Sequence, residues 1–146
     1  IFMSKVIAIF FLALSTLAWG DEAAVGLVKN VTGEATVTTA GKKVIASPGT
    51  AIYQGSVLQT GAKSSMGVTL KDETVLSFGA DTVFSIDEYL YVPSQNKLKF
   101  TSKITKGSLN YLSGVIAKLQ PDAIKMTTPS GVIGVRGTQF LVKVEE

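Results

Sequence analysis

The 146-residue chain contains no cysteine and no histidine. Lack of cysteine excludes a disulfide, a thiolate metal site and a lipid attached through a cysteine at a cleavage point. Without histidine, the side chain best suited to proton transfer at neutral pH is missing. Tryptophan and arginine occur once each, at Trp19 and Arg136. Charge of either sign is sparse: 14 basic against 11 acidic residues, net +3. That balance is too small for a nucleic-acid partner, and the aromatics sit at core-like strand positions instead of among basic residues. The chain also lacks a phosphate loop. Gly131 to Gly137 (GVIGVRG) is glycine-rich but has no following Lys-Ser/Thr and no helical sequel.

One apolar run is present, Val6 to Ala18, thirteen residues without a charge. It is short of the roughly 20 residues a membrane span needs. Lys5 precedes it, Ala18-Trp19-Gly20 follows with small residues at the two positions a signal peptidase reads, and Asp21-Glu22 comes next. This order is that of a secretory signal peptide. The expected organisation is a signal-peptide helix over 1–20 and one β domain over 21–146, exported to the periplasm or secreted. The alternative is an uncleaved anchor. After cleavage no membrane span is expected.

The remaining sequence has a period of two. Three eight-residue units follow one another: MGVTLKDE (66–73), TVLSFGAD (74–81) and TVFSIDEY (82–89). Met66, Val68 and Leu70, then Thr74, Leu76 and Phe78, then Thr82, Phe84 and Ile86 fall on one face of a strand. Thr69, Ser77 and Ser85 fall on the other. Each unit ends in turn chemistry, at Lys71-Asp72-Glu73, Gly79-Ala80-Asp81 and Asp87-Glu88. The same grammar runs through Gly33 to Thr39, Gly55 to Thr60 and Phe140 to Val144, with breaks at Ser47 to Thr50, Pro93 to Asn96, Pro121-Asp122 and Thr128 to Gly131. Val115 to Leu119, the one helix candidate, reads as strand on its β-branched start. The fold class is therefore all-β. Five extended residues and three in a turn fit either an antiparallel arrangement or stacked sides of a β-solenoid.

Few residues offer chemistry. A serine nucleophile would need a lysine base: Lys63 beside Ser64, or Lys106 near Ser108. Adjacent residues on a strand face opposite ways, and such a lysine also needs burial. Asp72 and Asp81 would approach one another if the units stacked, as calcium ligands require, but turn capping explains both. No cofactor or metal is expected. Lys97, Lys99, Lys103 and Lys106 read as the solvated face of a strand.

Thr127 to Phe140 (TTPSGVIGVRGTQF) strongly resembles the closing signature of FecR-like domains. Its residues are Thr128, Pro129, Ile133, Gly134, Val135, Arg136, Gly137, Thr138 and Phe140. Thr60-Gly61, Ser64-Ser65, Leu70, Asp72, Thr74, Leu76 and Gly79 are similar to the family's central segment, and Lys106-Gly107, Leu109 and Ser113-Gly114 to its next turn. The resemblance runs from about residue 25 to 144. One departure stands out: the family's central turn is Asp-Gly-Thr, whereas this chain has Asp72-Glu73-Thr74, and Glu lacks glycine's freedom in left-handed conformations. The resemblance implies a β-solenoid or β-roll-like stack of short strands, with an antiparallel β-sandwich as the alternative. It implies that the signature residues, with Asp72, Thr74, Gly107 and Gly114, are structural. For Arg136 the expected role is to satisfy turn carbonyls or to pair with a carboxylate; contact with a partner is the alternative.

Five residues precede the apolar run. What is expected is thus the extracytoplasmic FecR-like module, without the cytoplasmic region of the family's iron-uptake regulators. The expected function is a non-enzymatic binding or scaffold domain engaging an envelope protein or a surface polysaccharide. The alternatives are a periplasmic sensor of a signalling system and a Ser- or carboxylate-dependent hydrolase. Oligomeric state is left open.

Overall fold

The computed structural model describes residues 24–134 and 139–144. The signal-like segment, and Val135, Arg136, Gly137 and Thr138 of the signature, lie outside the described residues. The strands are β1 (Gly26–Thr32), β2 (Ala35–Thr39), β3 (Lys42–Ile45), β4 (Ala51–Ile52), β5 (Val57–Thr60), β6 (Ser65–Leu70), β7 (Val75–Phe78), β8 (Val83–Val92), β9 (Lys97–Leu112), β10 (Ile124–Thr128), β11 (Gly131–Gly134) and β12 (Gln139–Val144). A short helix, α1 (Val115–Leu119), and a 3-10 turn (Pro121–Ala123) join β9 to β10.

The sixteen residues of β9 form the spine. Along one side, its first part pairs with β8 and its second with β7, both antiparallel. Along the other side it takes β10 in parallel and β12 antiparallel. From β8 the sheet continues through β5 and β2 to β3; from β7 it continues through β6 and β1 to β4. The product is one curled, largely antiparallel sheet, a half-barrel whose two halves share β9. The change of partner falls at Gly107, whose φ of +97° only glycine adopts readily. A Cβ there would also overlap Thr82.

Curling brings the two inner faces together. Met66, Val68, Leu70, Leu76, Phe78, Phe84 and Ile86 are all buried, while Ser77 is exposed, and Thr69 and Ser85 are half-buried. Phe78 of one half meets Phe84 of the other with ring centroids 5.1 Å apart. Leu98 and Phe100 also point inward, and Lys97, Lys99 and Lys103 outward. The all-β class and the shared inner face of the 66–89 units are therefore as the sequence indicates. The solenoid and sandwich details are not confirmed. Units 66–73 and 74–81 close an antiparallel hairpin, Met66 opposite Phe78, and unit 82–89 pairs with β5 and β9. The reversal is tight: Glu73 N donates to Leu70 O at 3.0 Å and Leu70 N to Thr74 O at 2.9 Å.

Val115 to Leu119 corrects the strand expectation. It is helical because its start is held from outside: Val115 N donates to Asp72 O at 2.7 Å and Ile116 N to Asp72 Oδ2 at 3.1 Å. Ile116 and Ala117 then bury against the core. Tertiary anchoring overrides the β preference of Val-Ile. Among the described residues no helix is long and apolar enough to cross a membrane.

Candidate functional site

The densest polar constellation surrounds Asp72, which is fully buried. Its carboxyl group accepts four hydrogen bonds. Tyr89 OH donates to Oδ1 at 2.9 Å and Thr74 N to Oδ1 at 3.3 Å; Thr74 Oγ1 donates to Oδ2 at 2.8 Å and Ile116 N to Oδ2 at 3.1 Å. A buried acceptor left unmade would cost about 1–3 kcal/mol, so this satisfaction is what makes an interior Asp tolerable. Gly114 completes the packing: a Cβ there would overlap the Asp72 carbonyl oxygen and the Thr74 nitrogen. Asp72 and Thr74, two residues apart, and the distant Gly114 thus form one knot that ties the β6–β7 turn, β8 and α1 together. Burial, and then the Asp72 carboxylate, push the Tyr89 phenol far above its ordinary pKa. The same two causes, in the same order, raise Tyr111. The Thr74 hydroxyl is committed to Asp72, and the buried Tyr111 OH has no hydrogen-bond partner.

A second node forms around Thr82. Its hydroxyl donates to Gly79 O at 2.9 Å and accepts from Ser108 N at 3.1 Å, while Thr82 N donates to Thr60 Oγ1 at 2.9 Å. Gly107 lies against it, well separated in role from the Asp72 knot. Ser64 is likewise a brace: its hydroxyl accepts from Glu34 N at 2.8 Å and donates to Ala62 O at 3.0 Å. Lys63 beside it is exposed, so no buried lysine serves as its base. Asp72 and Asp81 are not brought together; Asp81 is exposed, and no cluster of three acidic residues exists among the described residues.

The described signature residues lie elsewhere. Thr128 Oγ1 donates to Gly131 O at 2.9 Å and accepts from Ser130 N at 3.2 Å, closing the β10–β11 turn. Pro129 follows in the turn, and Gly134 ends β11 opposite Lys125. Phe140 on β12 stacks on Tyr111 at 4.7 Å. A cleft of about 410 Å³ separates the β10–β11 hairpin from β12, lined by Thr128, Pro129, Ile133, Phe140, Leu141 and Val142 among others. Among the described strands β11 pairs only with β10 and β12 only with β9, so each has an open edge. Val132 is 63% exposed and Leu141 73%.

A family model described as FecR protein matches residues 56–146. The chain belongs to the FecR family. Comparison with curated proteins and with solved structures gives no match. The FecR match starts at Ser56 and is shorter than the similarity read from residue 25 onward, yet β1, β2 and β4 contribute Val28, Ala35, Val37 and Ile52 to the same core. Ser64, a nucleophile candidate by its sequence, is a structural brace, and Tyr89, which completes the Asp72 knot, carries no sequence mark of its own. The available signal was Thr74 and Thr82, polar residues recurring at the first inward position of an otherwise apolar face.

Proposed function

We propose that this FecR domain is a non-catalytic, exported binding module, a rigid β scaffold that engages an envelope protein or surface polymer. The observation that carries this reading is the pair of open edges at β11 and β12. They flank a cleft and present Val132 and Leu141 to solvent, in the segment that bears the family signature. An unpaired edge with adjoining side-chain pockets is how sheets accept an added strand. The polar residues with the best claim to chemistry, Asp72, Thr82 and Ser64, are instead consumed in bracing turns. The apolar run followed by Ala18-Trp19-Gly20 supports export.

Affinity capture from envelope extract, with the wild-type chain and the Val132→Lys/Leu141→Lys double variant side by side, tests the reading. A partner identified with the first and lost with the second is expected. Equal recovery with both overturns the assignment of the edges. The family is regulatory, which favours a second reading of the module as a periplasmic sensor for a sigma-factor system. Deleting its gene then changes transcription from a sigma-factor-dependent promoter, and an unchanged level rules the sensor out.

A further inference from the structure

Among the described strands the sheet ends at β3, β4, β11 and β12, and these edges are not alike. β3 carries Lys42 and Lys43 side by side, β4 is two residues long, and β11 lies between Gly131 and Gly134. Edge lysines and shortness keep an edge from being paired, and glycine weakens a strand. β12 has none of these guards. Its six residues, QFLVKV, are mostly aromatic or branched, and Lys143 is their one charge. On the side away from β9 no described strand pairs with it, so alternate N–H and C=O groups point outward there.

β12 also borders a face without charge. Rows of directly opposed residues cross the outer side of this half of the sheet. One runs Leu27, Thr69, Val75, Leu112, Gln139; the next runs Asn30, Gly67, Ser77, Asn110, Leu141. No residue in either row is charged, whereas Lys97, Lys99, Lys103 and Lys125 stand on the outer side of the other half. Leu27 is 48% exposed, Leu112 43% and Leu141 73%. Outer positions of an antiparallel sheet are ordinarily polar, and leucines there mark a contact face. Two such uncharged faces can lie side by side without like-charge repulsion.

We infer that β12 pairs antiparallel with β12 of a second copy of this chain, about a two-fold axis at Leu141. An axis normal to the sheet keeps each outer face outward and makes one continuous sheet from the two copies. Leu141 then meets its own mate, Gln139 stands opposite Lys143, and Phe140 opposite Val142. Apolar meets apolar and no two lysines are opposed, the cross-strand pairing that stabilises a sheet. Centring the axis on Val142 sets Leu141 against Lys143, and centring it on Lys143 sets two cations together. On the inner side, Phe140 and Val142 of the second copy enter the cleft of about 410 Å³ beside β12, whose wall includes Pro129 and Ile133. The inference rests on the reading of β12 as an open edge. It divides the two edges, β12 for a second copy and β11 for the envelope partner.

The test is sedimentation velocity on the purified chain after signal removal, residues 21–146, which keeps every described strand. Without any partner present, concentrations from about 10 μM to about 1 mM bracket the weak Kd expected of a small interface. Mass should double toward the upper end. Leu141→Lys should hold the chain monomeric, because two cations then meet at the axis, while Val132→Lys should leave the dimer intact. Gln139→Glu, facing Lys143 twice in each dimer, should tighten it about threefold, and Gln139→Lys should weaken it about as much. Amide proton dispersion like that of the wild type shows that each variant is folded. A chain that stays monomeric across the range overturns the inference. So does a dimer that survives Leu141→Lys, a dimer lost with Val132→Lys, or equal affinity in the two Gln139 variants. Capture of an envelope partner through Val132 is read separately, so the dimer can fail while the β11 edge stands, and the reverse.

Discussion

Tyr89 and Asp72, seventeen residues apart, hold each other twice: the phenol donates to Asp72 Oδ1 at 2.9 Å and accepts from Asp72 N at 3.0 Å. The pair closes the inner end of β8 onto the β6–β7 turn, and through Asp72 onto α1. Tyr89→Phe keeps the ring, its edge-on contact with Phe100 at 5.5 Å and its volume, but leaves the buried Asp72 N without its partner and removes one of the two hydrogen bonds to Asp72 Oδ1. A loss of about 2–3 kcal/mol is expected in urea unfolding. Asp72→Ala, which strands several donors and frees α1, should cost more and lower the helix content seen by circular dichroism.

The same pair makes stability sensitive to alkali. Tyr89 and Tyr111 have folded-state pKa values raised above the ordinary value of about 10, first by burial and then by the Asp72 carboxylate. Each therefore contributes stability that is complete below pH of about 10 and declines as pH rises, because the unfolded chain releases a proton that the folded one keeps. The expected slope is about 1.4 kcal/mol per pH unit per tyrosine above that point. Urea melts between about pH 9 and 11 measure it. Tyr111→Phe should halve the slope, and the loss of phenolate absorbance changes below the unfolding transition should mark the same two residues. A flat profile would contradict the burial of both hydroxyls.

Glu73 takes a left-handed conformation, φ +72°, at the turn where the resemblance to FecR-like domains implies glycine. That conformation suits glycine and is unfavourable for glutamate. A non-glycine residue there carries strain of roughly 1–2 kcal/mol, partly offset by glycine's greater freedom when unfolded. Glu73→Gly should therefore stabilise the domain by about 0.5–1 kcal/mol, read as a raised Tm. A destabilised variant would mean that the Glu73 side chain has a role of its own.

Gly114 is sterically obligatory for a different reason. Its neighbours are the Asp72 carbonyl and the Thr74 amide, both backbone and both committed to the knot. Gly114→Ala must displace one of them, at an expected cost of about 3 kcal/mol. Comparison with Gly134→Ala, where a Cβ meets nothing within 4 Å, controls for the substitution itself.

Local alternation was enough to place the inner face of residues 66–89, because a period of two is written into adjacent side chains. It also marked Lys97, Lys99 and Lys103 as solvated, and all three are exposed. Contacts that reach across the chain left no such mark. Val115 to Leu119 is helical because Asp72, 44 residues earlier, receives the Ile116 amide, and no property of Val-Ile-Ala-Lys-Leu announces that partner. The eight-residue repeat fitted stacked coils and hairpins alike; what selects the hairpin is the left-handed Glu73, a conformation its residue type argues against. Family resemblance singled out Asp72, Thr74 and Gly114, but Tyr89, which completes their knot, is one aromatic among several on an inward face.

The FecR match begins at Ser56, within a fold whose core begins earlier. β1 runs between β6 and β4, and its Val28 is fully buried. Val25 O also accepts from Lys71 N at 2.9 Å, beside the Asp72 knot. β2 pairs with β5 through Ala35 opposite Thr60 and Val37 opposite Leu58. Cutting at residue 56 would thus open new edges on β5 and β6 and uncover Val68 and Leu58 to water. Losing Val28, Ala35, Val37 and Ile52 forfeits roughly 1.5–3 kcal/mol for each large side chain, against a total stability of about 5–15 kcal/mol for an ordinary domain. The fragment 56–146 should therefore not fold by itself: amide proton dispersion collapses and cooperative unfolding disappears, whereas residues 24–146 melt in one transition. A well-dispersed spectrum from 56–146 would show that β1 to β4 are an accessory layer instead of part of the core.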